Sequence, residues 1–227
     1  MHILLSGIVG STAYGLAGPG SDIDRLGVFA VPTVALHGLV PPRESVVTTK
    51  PDVTYHEARK YAALALSCNP TAIELMWLPD DLYEVRGPLG DELIGIRSAF
   101  LSATRVREAF LGYASQQFRR IENRGDGTFS ADTRNRTAKH ARHLMRLCHQ
   151  GYELYATGWL PIRLDKPQEY VEFGEAVAAG RLDVARALIA RHERLFDSTT
   201  SPLPGKPDEQ AAENWLRHVR RTYLPDH

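Results

Sequence analysis

Two aspartates near the amino terminus have the spacing of a divalent-cation site. Asp22 and Asp24 stand two residues apart in the segment Ser21-Asp22-Ile23-Asp24, at the predicted start of a strand. Side chains two apart on a strand project from the same face, so these carboxylates would repel each other unless a cation lay between them. Hard carboxylate oxygens suit Mg²⁺ or Mn²⁺, which take their remaining ligands from water and substrate phosphate. The pair therefore predicts a metal bound beside a phosphate group.

A glycine-serine turn just upstream is a candidate for holding that phosphate. Gly10-Ser11 opens the segment GSTAYGLAGPG, whose glycines and proline predict a loop with at most a short helical turn around Ser11–Leu16. Backbone N–H groups and a hydroxyl at such a turn form an anion site. Leu16-Ala17 stands where a P-loop requires Lys followed by Ser or Thr, and no G-x-G-x-x-G occurs. An ordinary turn with solvated acids is the alternative, but the combination with the aspartate pair favours a nucleoside triphosphate site.

This arrangement resembles the signature of the DNA polymerase β-like nucleotidyltransferase superfamily, a G-S dipeptide followed by a D-x-D pair. The closest resemblance is to a branch of predicted bacterial and phage nucleotidyltransferases associated with RNA repair or RNA ligases, which read GSxxYGLAxxxSDxDxxGV. Arg25 follows the second aspartate, where many relatives outside this branch carry an apolar residue. The resemblance extends, with weaker matches, to about residue 160. The matching residues are Gly10-Ser11, Tyr14 to Ala17, Ser21 to Asp24, Gly27-Val28, Asp52, Lys60-Tyr61, Asn69-Pro70, Glu74, Lys139, His143 and Arg146-Leu147.

The resemblance implies a third carboxylate on a neighbouring strand, for which Asp52 is the best candidate. Asp22, Asp24 and Asp52 would then hold two Mg²⁺ or Mn²⁺ ions for in-line phosphoryl displacement, with Asp52 activating the acceptor hydroxyl. A turn acid after Pro51 is the alternative for Asp52, with Glu44 and Glu57 as fallback acids. Glu57 would face a helix start, where a carboxylate is stabilised without any catalytic role.

The same resemblance implies that the nucleotide is bound by Gly10, Ser11, Tyr14 and Ser21. Tyr14 lies inside the phosphate loop, where stacking on a base and simple packing are equally good interpretations. Asn69-Pro70 and Glu74 have a structural interpretation, in which Asn-Pro ends one helix and Glu74 back-caps Thr71 at the start of the next.

A second constellation lies on the helix predicted over 134–157. Lys139, His143 and Arg146 follow an i, i+4, i+7 spacing and so share one face. Residues 119–146 contain eight Lys or Arg against three acids. Such a face could bind triphosphate oxygens or an RNA backbone, and a solvated helix face is the alternative. His140, His143 and His149 lack the further ligands of a tetrahedral metal site.

Composition limits the class of protein. The 227 residues carry 27 Lys or Arg and 27 Asp or Glu, and this zero net charge excludes a strongly cationic nucleic-acid coat. Cys68 and Cys148 are too few to staple the chain, which indicates reduced thiols in a cytosolic protein. No apolar run approaches the roughly 20 residues of a membrane span. No signal peptide is recognised at the start, so we expect a cytoplasmic protein that makes no membrane contact.

Hydrophobic patterning predicts an α+β chain with a mixed amino-terminal part and an all-helical carboxy-terminal part. We place the boundary between residues 1–122, a polymerase β-like nucleotidyltransferase domain with a small mixed sheet, and residues 123–227, with a turn-rich hinge at 123–133. Residues 79–90 are expected to form a loop. Strands are predicted at 2–9, at 23–31 and at 46–55 with an interruption near Pro51. Helices are predicted at 56–67, 71–78, 91–122 with a break near 99–103, 134–157, 168–179, 183–196 and 208–222.

Three functions follow from these patterns. The favoured one is a metal-dependent nucleotidyltransferase that moves an NMP from an NTP to an acceptor hydroxyl, with an RNA end as the first expectation. A non-catalytic nucleotide-binding or antitoxin-like module would bind NTP without turnover. A helical-domain ribonuclease is suggested by Arg134-x₅-His140 and Arg142-x₆-His149, although a chain with 9 histidines produces such spacings by chance.

Overall fold

A computed structural model of the chain describes residues 1–18, 20–123 and 131–224. It divides into two compact units, one of Met1–Leu101 with Lys206–His227 and the other of Ser102–Gly205. The predicted α+β class is confirmed, because a five-stranded sheet in the amino-terminal part is followed by helices. Of the predicted hinge at 123–133, residues 124–130 lie outside the described residues.

The sheet of the first unit is mixed, with strand order β3-β4-β2-β1-β5. All its neighbouring strands are antiparallel except β2 and β4, which pair in parallel. The interruption predicted near Pro51 in the strand over 46–55 is a reversal of the chain that makes two strands of it, and β5 falls inside the predicted loop at 79–90. The strands are β1 (His2–Val9), β2 (Asp24–Ala30), β3 (Ser45–Thr49), β4 (Asp52–Glu57) and β5 (Tyr83–Arg86).

Nine α-helices are assigned in the described ranges. The break predicted near 99–103 is a 3₁₀ turn at Arg97–Phe100, and the helix predicted over 71–78 continues from α3 into a 3₁₀ turn at Glu74–Trp77. The helices are α1 (Gly10–Tyr14), α2 (Ala58–Leu66), α3 (Pro70–Ile73), α4 (Pro88–Gly95), α5 (Ala103–Glu122), α6 (Ala131–Thr157), α7 (Pro167–Ala178), α8 (Leu182–Ser198) and α9 (Glu209–Thr222).

The start of α3 differs from the sequence-based expectation. The side chain of Asn69, not Thr71, caps the helix by accepting from the backbone N–H groups of Thr71 and Ala72 at 3.0 and 3.2 Å, with Pro70 in the first turn. Pro fits that position because its missing N–H would have no intrahelical partner. Glu74 therefore lies two residues past the position from which an acid can back-cap the N-cap residue, and it is buried instead.

The last helix, α9, belongs to the first unit, so the division after residue 122 does not match the compact units. The buried Trp215 donates its indole N–H to the carbonyl of Leu89 at 2.9 Å. Arg220 makes two hydrogen bonds to the carboxylate of Glu57, at 2.6 and 2.9 Å. These contacts join positions far apart in sequence, which local patterning does not reveal.

The second unit is a helical assembly built around α6. Leu144 and Leu147 of this helix are fully buried. A Cβ on Gly151 would lie 2.5 Å from the Cβ of Phe110, so this glycine lets α5 and α6 approach closely. Tyr155 packs edge-on against Phe196 of α8, with 4.9 Å between ring centroids. The unit therefore has its own apolar core, as expected of a domain.

Both cysteines are buried thiols, and burial raises the pKa of Cys148 to about 12. Within the described ranges, no helix combines the length and apolar character needed to cross a bilayer.

The Glu57–Arg220 pair yields a stability prediction. Both side chains are largely buried, and removing one partner of a buried pair leaves an uncompensated charge. We expect Arg220→Ala to lower the free energy of unfolding by about 3 kcal/mol, measured by urea denaturation. Arg217→Ala on the same helix breaks only an exposed pair with Glu213 and should cost less than about 1 kcal/mol. Equal losses in the two variants would contradict the structural role of Arg220.

Candidate functional site

Asp24 and Asp52 stand at the starts of two adjacent parallel strands. The register of β2 against β4 pairs Arg25 with Val53, and one residue before this pair come Asp24 and Asp52. Side chains at one level of neighbouring strands point to the same face of a sheet. The structure therefore places the two carboxylates on one face at one edge of the sheet, with Asp52 exposed and Asp24 half-buried.

Gly10 provides the space for the Asp24 carboxylate. Val9 pairs with Asp24 across β1 and β2, so the chain leaves β1 directly beside this aspartate. Gly10 has a φ of +68°, and a Cβ on it would lie 3.0 Å from the Asp24 Cγ and closer still to Oδ2. Glycine is required here both for its left-handed backbone and for its missing side chain.

The predicted helical turn is present as α1, which begins at Gly10. The first N–H groups of a helix have no intrahelical partner, and they attract anions. The helix ends at Gly15 in the left-handed region, where the N–H groups of Gly15 and Leu16 donate to the carbonyls of Thr12 and Ser11 at 3.2 and 2.8 Å. The start of α1, with the half-buried Ser11, thus lies next to Asp24.

Tyr14 takes the packing role and not an exposed stacking position. Its side chain is 7% exposed, and its hydroxyl donates to the carboxylate of Glu74, which is 2% exposed. Glu74 was not expected to contact this turn. The signal that could have found it is an acid inside the otherwise apolar run TAIELMWL, because buried carboxylates require hydrogen-bond partners.

Ser21 and Asp22 lie in the exposed loop between α1 and β2. The Ser21 hydroxyl accepts from the backbone N–H of Gly18 at 2.9 Å, while its own N–H donates to the Gly18 carbonyl at 3.0 Å. Ser21 therefore orders the loop that delivers Asp22 to the start of β2. Asp22 is exposed and precedes the strand by two residues, so it does not share the register that relates Asp24 to Asp52.

The donor set at this edge is made of carboxylate oxygens. Among residues 1–18, 20–123 and 131–224, no group of three or more His, Cys, Asp or Glu side chains has the geometry of a metal site. The structure thus aligns Asp24 with Asp52 but does not gather all three aspartates. The chemistry of the donors still suits a hard divalent cation that keeps water and phosphate ligands.

The other charged candidates near this edge have structural partners. Arg25 points to the opposite face from Asp24, where its Nε lies 2.9 Å from both carboxylate oxygens of Glu84 on β5. Glu57 caps α2 by accepting from the N–H of Arg59, as expected for an acid at a helix start. Glu44 pairs with the Arg59 guanidinium. The two fallback acids are therefore engaged away from the start of β2.

Lys139, His143 and Arg146 lie on α6 in the second unit, but they do not form one solvated face. Lys139 is exposed, whereas Arg146 is 2% exposed and donates to Gln150 Oε1 at 2.6 Å and to His143 Nδ1 at 3.0 Å. Burial and the Arg146 charge lower the pKa of His143 to about 3. His143 is therefore a neutral acceptor at physiological pH, and the buried Arg146 does not share the exposure of Lys139.

The Arg–His spacings that suggested a ribonuclease have partners in the helical packing. His149 shares a hydrogen bond of 2.8 Å with the hydroxyl of Tyr170, and burial lowers its pKa to about 4. His140 Nδ1 lies 2.7 Å from Gln117 Oε1 on α5. Arg134 is 3.5 Å from Glu175 on α7. These side chains connect α6 to its neighbours, which explains their presence without catalysis.

The fit of Gly10 to Asp24 gives a prediction with an internal control. Gly15 also has a positive φ, of +78°, but a Cβ on it would meet nothing within 4 Å. Gly15→Ala should therefore cost only the left-handed backbone, about 1–2 kcal/mol. Gly10→Ala should lower the free energy of unfolding by about 1–3 kcal/mol more than this, as overpacked contacts do, because the Asp24 carboxylate must move. Urea unfolding of both variants measures the difference, and equal losses would show that Asp24 does not press on Gly10.

The burial of Arg146 gives a second comparison. Arg146→Ala should lower the free energy of unfolding by about 1.5–3 kcal/mol, because it removes charged hydrogen bonds inside the second unit. Lys139 lies on the same helix but is exposed, so Lys139→Ala should change the free energy of unfolding by less than about 0.5 kcal/mol. Urea denaturation distinguishes the two variants. An Arg146→Ala variant with the same free energy of unfolding as the parent protein would contradict a structural role for Arg146.

Comparison with known families agrees with this geometry. A family model described as the RNA repair pathway DNA polymerase beta family (RlaP) matches residues 1–204. No curated protein sequence matches the chain. The family match spans both the sheet that carries Asp24 and Asp52 and most of the helical part, and it confirms the resemblance to polymerase β-like nucleotidyltransferases. The chain belongs to the RNA repair pathway DNA polymerase beta family.

Proposed function

We propose that the protein is a metal-dependent nucleotidyltransferase, which moves an NMP from an NTP to an acceptor hydroxyl and releases pyrophosphate. The observation that carries this proposal is the alignment of Asp24 with Asp52 beside the start of α1. The carboxylates that would bind a divalent cation lie at the same edge of the sheet as the N–H groups that would bind phosphate oxygens. That combination fits phosphoryl transfer, in which catalysis is largely positioning and neutralisation of charge.

Each residue has a role in this proposal. Asp24 and Asp52, with Asp22 from the preceding loop, would hold Mg²⁺ or Mn²⁺, which when bound neutralises the charge that develops on the phosphates. Gly10 and Ser11 bind the β- and γ-phosphates through the first N–H groups of α1 and the Ser11 hydroxyl. Asp52 is exposed and lies at the level of Asp24 on the neighbouring strand, so we assign it the contact with the acceptor hydroxyl and its proton.

The acceptor we propose is an RNA end. The description of the family places its members in RNA repair, and the second unit carries the exposed Lys139 as a contact for a phosphate backbone. Arg146 is buried and His143 is its neutral partner, so neither residue is assigned a direct contact with RNA. A protein hydroxyl or a small molecule would use the same chemistry at the aspartates.

The deciding experiment supplies each of four α-labelled NTPs with Mg²⁺ or Mn²⁺, total cellular RNA and total protein. The expected result is label on RNA, release of pyrophosphate, and no label when EDTA is present or when the γ-phosphate carries the label. Binding of NTP without any product would instead identify a nucleotide-binding module. Cleavage of RNA in the absence of NTP would identify a ribonuclease.

The aspartates should be needed for transfer and dispensable for folding. Asp24→Asn and Asp52→Asn should each lower the transfer rate by about 10³-fold, because a ligand of the cation is lost. The melting temperature without metal should stay equal or rise, since repulsion between like charges is relieved. Asp80→Asn is the matched control, because the Asp80 side chain is 90% exposed and pairs with Arg86. Loss of folding in both site variants would mark these acids as structural.

A further inference from the structure

A buried hydrogen bond joins the phosphate-binding turn to a distant part of the chain. Tyr14 is the last residue of α1, and its hydroxyl donates to the carboxylate of Glu74, which opens the 3₁₀ turn Glu74–Trp77. We infer that Tyr14 and Glu74 are a positioning pair, which fixes the orientation of α1 and thereby sets the affinity for the nucleotide phosphates. This inference rests on the proposed function, because it assigns a purpose to the start of α1.

Helix α1 cannot hold its own orientation. It has only five residues, and isolated helices shorter than about 12 residues are marginal in water. Its N-cap residue, Val9, makes no side-chain capping bond, and Gly15 ends it with a left-handed turn. Ala13 and Tyr14 are its two buried residues. The direction of the N–H groups at Gly10 and Ser11 therefore depends on how these two side chains are anchored.

Glu74 is a fixed point from which to anchor a helix. All four residues of its 3₁₀ turn are buried. The segment is held on one side by Tyr61, which donates to the carbonyl of Ala72 at 3.0 Å, and on the other by Tyr83, which donates to the carbonyl of Leu75 at 2.8 Å. Further along, Leu78 lies against β1, where a Cβ on Gly7 would be 2.6 Å from its Cδ1. The acid thus belongs to the same packed layer as the strand that leads into α1.

A carboxylate at position 74 is a costly choice unless its hydrogen bond has a purpose. Its neighbours Ile73 and Leu75 are fully buried apolar residues, and an apolar side chain at 74 would avoid the desolvation of a charged group. A carboxylate differs from such a side chain in making a strong and directional hydrogen bond to the Tyr14 hydroxyl. Helix α1 is short and has only two buried side chains, so a directional hydrogen bond is needed to fix its orientation.

The test compares Tyr14→Phe with Tyr83→Phe in the full-length protein. Both variants lose one tyrosine hydroxyl that is bonded to the Glu74–Leu75 region, but only Tyr14 is part of α1. Hydrogen exchange at the amides of Gly15 and Leu16, which close α1, should be faster in Tyr14→Phe than in Tyr83→Phe or the parent protein. In the transfer assay with Mg²⁺ and the NTP that the parent protein uses, Tyr14→Phe should raise KM by about tenfold, with a smaller change in kcat.

Glu74→Gln is the conservative companion. It keeps an oxygen that accepts from Tyr14 and loses the charge, so its KM should lie between those of the parent protein and Tyr14→Phe. If Tyr14→Phe does not fold, the KM of Glu74→Gln and the exchange at Gly15 and Leu16 in this variant test the positioning pair instead. Parent-like exchange at Gly15 and Leu16, or an equal rise in KM for Tyr83→Phe, would overturn the inference. Absence of transfer by the parent protein would overturn the proposed function, while the exchange data would still decide whether the pair holds α1.

Discussion

The parallel pairing of β2 with β4 is the constraint on which the candidate site depends. β2 lies between β1, to which it is antiparallel, and β4, and all three meet at the level of Asp24. At this level β1 leads into the turn at Gly10, and β4 begins with Asp52. Because the side-chain period of a strand is two, a slip of one residue in either pairing would send a carboxylate to the opposite face. The buried core of β2, from Leu26 to Ala30, makes such a slip expensive, so apolar packing indirectly fixes the separation of the acids.

Local signals in the sequence predicted what lies close together along the chain. The first strand, the glycine-rich turn and the D-x-D pair follow one another within a short segment, and the structure preserves that order as β1, α1 and β2. Asp52 could be proposed only through the resemblance to a family, since parallel pairing across 28 positions leaves no periodic mark in a single sequence. The short edge strand β5 was missed because its four residues, three of them exposed, alternate too briefly to stand out from a loop.

Buried charges were the second kind of feature that patterning could not predict. A helical wheel places Arg146 on a basic face with Lys139, but it gives no depth, and the structure buries the arginine beside Gln150. Arg220 and Glu57 are 163 residues apart, and their pair assigns the last helix to the unit that contains the sheet. The Arg220 pair is a tertiary relation between distant segments, whereas Arg146 bonds within its own helix and only its burial depends on the rest of the fold.

The acids of the first unit differ in whether the fold itself supplies a partner for the carboxylate. Glu57 and Glu84 accept from arginines, and Glu74 accepts from a buried tyrosine, so their charges are compensated by the fold itself. Asp22 and Asp52 are exposed, so their carboxylate oxygens are in contact with water. A carboxylate that is still hydrated can exchange water for a cation, whereas one locked to a guanidinium would first have to break that pair. The internal hydrogen bonds of these glutamates therefore orient α1 and join the elements around the sheet. The carboxylate oxygens of Asp22 and Asp52 remain exposed, as a phosphoryl-transfer reaction would need.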